Sequence, residues 1–152
     1  MEKNITNLSG IEYCKNLKSL FLHVNQLSDI TLLSNLINLE ILELGKNQIS
    51  DITPLRRLTK LKRLYLYDNQ ISDINPLANL TDLRVLYLND NEIQDISPIA
   101  TLPEIGNPVS KFPDVPHLSL ENNKISDISS LVNNLGIGKG DRVILIGNPL
   151  ND

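Results

Sequence analysis

Five aspartates recur at Asp29, Asp51, Asp73, Asp95 and Asp127, the first four at steps of 22 residues. A column of carboxylates is one way to hold calcium, which takes about six to eight oxygen ligands. One carboxylate per step, each followed by an isoleucine, is too sparse for that. Each is expected instead to accept hydrogen bonds from the backbone N–H groups of the turn just after it. His23 and His117 stand in no H-x-x-x-H spacing and near no cysteine, so they make a poor metal site. The glycines of GIGKGD, Gly136, Gly138 and Gly140, lack the Gly-Lys-Ser/Thr ending and the following helix of a phosphate loop. They are expected to form a flexible connection. No G-x-S-x-G, C-x-x-C or H-E-x-x-H occurs, so no catalytic set can be assembled. Neither an enzyme nor a cofactor is expected.

The chemistry that remains is recognition. The chain has four tyrosines and two phenylalanines, and Phe21, Tyr65, Tyr67 and Tyr87 all alternate with leucines that would point the other way. Aromatic rings suit strands in general. That alone does not explain a core left to leucine and isoleucine with the rings outside. Tyrosine offers large contact area at low rotamer entropy, and an exposed apolar patch with a polar rim is how protein interfaces are built. Phe21, His23, Tyr65, Tyr67 and Tyr87 are therefore the candidate anchors, with Glu43, Lys62, Arg63, Arg84 and Asp90 setting orientation. Basic residues stand at the strand starts (Lys18, Lys62, Arg63, Arg84) and acidic ones at the ends (Asp68, Asp90, Glu121).

The elements that must position these residues are copies of one unit. Leu61–Leu77 reads LKRLYLYDNQISDINPL, and Leu17–Leu33, Leu39–Leu55 and Leu83–Ile99 repeat its pattern. Asn25, Asn47, Asn69 and Asn91 mark a step of 22. Leu64 and Leu66 alternate with Arg63, Tyr65 and Tyr67, which predicts a short strand with one buried face. The asparagine is expected to satisfy backbone groups where the strand turns. Pro54, Pro76 and Pro98 argue for tight turns or short 3₁₀ stretches on the return side, and 22 residues leave little room for a long helix. One such unit cannot bury its own edge and needs a neighbour on each side.

Residues 1–16 match the return half of a unit whose strand is missing, which places Cys14, the only cysteine, at a core position as a small buried residue. Residues 17–102 hold four regular repeats. The next asparagine, Asn123, is 32 beyond Asn91, so residues 103–114 are expected to be an inserted loop with Phe112 tucked back onto the array. Residues 115–152 hold two irregular repeats, with strands marked by Val115, Leu118 and Leu120 and then by Val143 and Leu145, and a last ladder asparagine at Asn148. The whole chain of 152 residues is expected to be one domain. Both of its ends should be open, so end-to-end self-association is expected.

A net charge of −4 argues against a nucleic-acid partner, and no apolar run approaches the roughly 20 residues of a membrane helix. MEKNITNLSG has no apolar stretch after its charged residues and is not a signal peptide. The chain is therefore either cytoplasmic as given or a piece of a longer exported protein.

The repeat L-x-x-L-x-L-x-x-N-x-I-S-D-I-x-P-L resembles the bacterial leucine-rich-repeat proteins of the internalin type, and GIGKGDRVILIGNPL is similar to their terminal repeats. The resemblance implies an α/β repeat fold: a right-handed leucine-rich-repeat solenoid with a concave parallel β-sheet and short turns or 3₁₀ segments on the convex side. It also implies recognition of a protein partner by that sheet, and secretion or surface attachment where the chain is part of a longer protein. The rival reading is a structural spacer within a larger surface protein.

Overall fold

Leucines two residues apart bury one face of a short strand and leave the intervening side chains on the other. The computed structural model describes residues 4–106, 116–138 and 140–151. In them the pattern gives six strands: β1 (Ser19–Phe21), β2 (Ile41–Glu43), β3 (Arg63–Tyr65), β4 (Val85–Tyr87), β5 (Leu118–Ser119) and β6 (Val143–Ile144). They form one open parallel sheet in chain order. The leucines fix the register: Leu20 pairs with Leu42, Leu42 with Leu64, Leu64 with Leu86, and Leu86 with Leu118. Extra residues between β4 and β5 lengthen a connection without shifting that row. Val115, Phe112 and most of the expected insertion lie outside the described residues.

Each strand ends at a left-handed corner. Val24, Lys46, Asp68, Asp90 and Asn122 have φ between 52° and 57°, and Gly147 closes the series at 78°. Asparagine tolerates this region through its short polar side chain, whereas a β-branched residue is crowded there. Val24 is the strained member of the row, and it buries little in return, being 36% exposed. Val24→Asn should therefore raise stability by about 1 kcal/mol, read from the urea midpoint. A loss of stability would mean that the valine side chain holds its corner by packing.

The asparagine after each corner ties two coils together. Asn69 donates through Nδ2 to the Leu66 carbonyl at 3.0 Å and the Leu44 carbonyl at 3.1 Å, while its Oδ1 accepts the Ile49 N–H at 3.0 Å. Asn47, Asn91, Asn123 and Asn148 repeat the arrangement. Only a side-chain amide carries both a donor and an acceptor in this shape.

The return sides are short 3₁₀ segments: Ile11–Tyr13, Thr31–Asn35, Thr53–Arg57, Asn75–Leu77 and Ser97–Thr101. Proline occupies the first turn of the last three of these, where its missing N–H costs nothing. The sixth return side winds one α-helical turn instead, α1 (Ser129–Val132). All but the first begin with an aspartate closing a local ring onto the residue two positions on. Asp29, Asp51, Asp73, Asp95 and Asp127 accept the N–H of Thr31, Thr53, Asn75, Ser97 and Ser129 at 2.7–2.8 Å.

These bonds have a pH signature. The Thr31 hydroxyl and N–H hold the Asp29 carboxyl below the usual aspartate range, Thr53 does the same for Asp51, and the Ser129 N–H and hydroxyl do so for Asp127. A carboxyl whose pKa is lower folded than unfolded stabilises the fold above its unfolded value. That contribution is lost as the pH falls through the folded value. The urea midpoint should stay level from about pH 7 to about pH 5 and drop below about pH 4. A midpoint that rose on acidification would contradict the assignment.

The core is one continuous cluster from Leu8 to Ile125, almost wholly leucine and isoleucine. One expectation is corrected. Cys14 is exposed, not buried: it stands in the row of Leu36 and Leu58, but among the described residues no coil lies on its outer side. In the glycine stretch, expected to be a flexible connection, hydrogen bonds reach Gly136, Ile137 and Gly138. Asn134 is buried, donates to the Ile99 and Leu102 carbonyls and accepts the N–H groups of Gly136 and Ile137. Gly136 lies so close to the Pro103 carbonyl that a Cβ there would overlap it. The Asp141 carboxylate accepts the Gly138 N–H at 2.7 Å.

Candidate protein-binding face

The sheet register sorts the outward side chains into rows. Phe21, Glu43, Tyr65, Tyr87, Ser119 and Ile144 share the central row, one per strand. Tyr65 and Tyr87 are therefore direct neighbours, and their rings meet edge to face with centroids 5.1 Å apart and planes at 71°. This geometry suits the ring quadrupoles. Tyr67, two residues beyond Tyr65, lays its ring across the neighbouring coil onto Gly45, where a Cβ would overlap it. The glycine makes room for the ring.

The rings are half-buried, not fully exposed as the strand alternation alone suggested. Neighbouring coils stand about 4.8 Å apart, less than the width of a ring, so adjacent rings shield one another. Burial pushes the hydroxyls of Tyr65, Tyr67 and Tyr87 up from the usual tyrosine range, so all three are neutral donors at physiological pH. Phe21 is 57% exposed and stands apart from the tyrosines, with Glu43 between them on β2.

The charged candidates divide. His23 Nδ1 lies 3.2 Å from Glu43 Oε2, so these two belong to one local pair on the face. Arg63 occupies the row on the other side of the tyrosines, beside Ile41 and Val85. Lys62 is engaged within the chain: Glu40 bridges it at 2.7 Å and Lys18 at 3.2 Å, and the hydrogen bond from Lys62 holds the Glu40 carboxyl below the usual range. Arg84 Nε is buried 3.7 Å from Glu104 Oε2, an ion pair rather than a hydrogen bond. Asp90 sits at a left-handed corner and accepts from Asn122 and Asn89 at 2.7 Å. Lys62, Arg84 and Asp90 thus knit coils together at the margins, while Tyr65, Tyr87, Tyr67, Arg63 and the His23–Glu43 pair form the face.

Sequence reasoning missed Ser119 and Ile144 in the central row and the largely buried pair of His117 Nδ1 and Asp141 Oδ1, 3.3 Å apart. Counting from the ladder asparagines Asn123 and Asn148, rather than by 22, would have placed the first two. Among the described residues no helix is long and apolar enough to cross a membrane.

The arrangement has known counterparts. The leucine-rich-repeat family model matches residues 15–57 and 59–104, in two copies. Among solved structures, an internalin (inlF) of Listeria monocytogenes superposes with a TM-score of 0.83 at 32% identity, over 95% of this chain and 39% of that one. Internalin C2 of the same organism matches at 34% identity and a TM-score of 0.69, over 99% of this chain and 71% of that one. A leucine-rich-repeat protein of Leptospira interrogans matches at 28% identity and a TM-score of 0.77, over 96% of this chain and 35% of that one. This chain thus spans well under half the length of the first and third of these. No curated protein sequence matches it. With the family model covering more than half of the residues and two internalins above 30% identity, the chain belongs to the leucine-rich-repeat family, in its bacterial, internalin-like branch.

Proposed function

We propose that the chain is a non-enzymatic protein-interaction module that binds its partner on the concave sheet face. The observation that carries this reading is the packed Tyr65–Tyr87 pair with Tyr67 beside it, on the outward face of the sheet. A rigid aromatic platform gives large contact area with little entropy left to lose. Arg63 on one side and Glu43 with His23 on the other supply opposite charges that fix the orientation of the bound partner. The resemblance to internalins supports a setting outside the cell or on its surface.

A photoreactive amino acid placed at Phe21 or Arg63, on the sheet face, should give a covalent adduct with a second protein when the chain is irradiated in its producing bacterium. The same residue at Arg56 or Thr81, on the return side, should not. Adducts from Arg56 and Thr81 with none from the sheet positions would put the binding surface on the opposite side.

A further inference from the structure

The three tyrosines of the sheet face stand in different electrostatic surroundings. Burial raises the hydroxyls of Tyr65 and Tyr87, and the Arg63 and Arg142 charges oppose that rise. Tyr67 lies nearer the strand ends. Burial raises its hydroxyl too, and there Glu43 and Asp68 raise it further, so the charges acting on this ring are negative. The coils account for the placement. Asp68 follows Tyr67 directly, at the left-handed corner. Glu43 precedes Gly45, on which the ring rests, by two residues, and so faces the same way.

Both carboxylates are short of partners. Asp90, at the equivalent corner one coil on, accepts from Asn89 and Asn122 at 2.7 Å. The Asp68 carboxylate, among the described residues, takes part in no hydrogen bond and no ion pair. Glu43 pairs with the His23 imidazole at 3.2 Å and with no lysine or arginine among the described residues. Lys46 is the corner residue one coil back, yet it joins no ion pair among the described residues. What remains is a ring seated on backbone with two carboxylates beside it and no cation paired to either.

We propose that this part of the sheet face holds an arginine side chain of the protein partner, its guanidinium stacked on the Tyr67 ring and paired with the Asp68 and Glu43 carboxylates. The inference rests on the reading of the sheet face as the surface that meets the partner. The chemistry selects the occupant. An acidic side chain is repelled by both carboxylates. An alkyl side chain strips water from them and leaves them unpaired. A lysine meets one of them as a point charge. An arginine presents a flat cation that stacks on the ring, while its fork of N–H groups donates to carboxylates at its edge.

Amide NMR of the isotope-labelled 152-residue chain tests it. The probe is a glycine–arginine–glycine peptide blocked at both ends, and the control is its citrulline counterpart, of the same shape without the charge. At low salt the arginine peptide should shift the Gly45, Tyr67 and Asp68 signals saturably, with a Kd of about 10 mM, and the citrulline peptide should not. Asp68→Asn keeps a residue that tolerates the corner and should weaken binding about threefold. Tyr67→Leu should weaken it about fivefold, and Tyr67→Phe should change it by less than about twofold. Circular dichroism checks folding; if Tyr67→Leu does not fold, Gly45→Ala moves the ring while keeping every charge, and it too should weaken binding. Three results would each overturn the proposal: no saturable shift below about 100 mM, equal binding of the citrulline peptide, or arginine binding that Asp68→Asn and the ring variants leave unchanged. The photoreactive residues at Phe21 and Arg63 report on the face separately. Adducts there without arginine binding discard the arginine site and keep the face, whereas arginine binding without adducts there discards both.

Discussion

Replacing Leu66 by alanine lowers the unfolding free energy by about 2–5 kcal/mol, the range for large-to-small changes in a core that cannot collapse. Leu66 is fully buried, in a row with Leu44 and Leu88 on the coils either side. Its N–H donates to the Tyr87 carbonyl at 2.8 Å and its carbonyl accepts from both Asn69 and Asn91 at 3.0 Å. These bonds pin the backbone at the coil spacing, so the neighbours cannot move in to fill the space left by the lost methyl groups. The cost should therefore lie toward the upper part of the range. Leu145→Ala supplies the comparison. It occupies the same row but is only partly buried at the end of the array, and it should lose less than half as much. Urea unfolding of the two variants measures both. A Leu66→Ala loss under about half a kcal/mol would be incompatible with a side chain held between coils.

The fold was legible because each repeated residue obeys a rule that acts within one coil or between adjacent ones. Leu64 and Leu66 alternate across a strand, Asn69 closes the corner, Asp73 caps the turn, and Pro76 starts the 3₁₀ segment. What escaped depends on what lies beside a residue's coil or on a coil out of step. Cys14 has the register of a buried residue, but burial requires a coil on the outer side as well. Asn134 falls where other coils carry Leu36, Leu58 and Leu80, and a polar residue in that row signals a buried amide with work to do. The 32-residue step from Leu102 to Asn134 hid the correspondence from a count by 22. The charged margin was legible in composition but not in partnership. Lys18, Glu40 and Lys62 are 22 residues apart in sequence, yet only stacking shows that the glutamate engages both lysines.

The same stacking decides what the aromatic face can do. Replacing Tyr65 and Tyr87 together by alanine should weaken the natural partner by about 2–4 kcal/mol, or roughly 30- to 1,000-fold in Kd. The two rings form one edge-to-face unit, so the second substitution removes less than the first, and the double variant is the cleaner measurement. Both side chains are half-buried against each other rather than inserted into the core. The fold should therefore lose only the ring–ring contact, about 0.5–1.5 kcal/mol. That separates the two roles: a large loss of affinity with a small loss of stability identifies a contact surface, while a large loss of both identifies a structural layer. Gly45→Ala sharpens the distinction. The backbone there is not left-handed, so the added methyl mainly displaces the Tyr67 ring, which can swing away into solvent. Stability should hardly change, and affinity should fall by less than in the double tyrosine variant, because only one edge of the platform has moved. Isothermal calorimetry against the photocrosslinked partner, once identified, gives both affinities. A partner that bound the double tyrosine variant as tightly as wild type would rule out the aromatic face as the site of recognition.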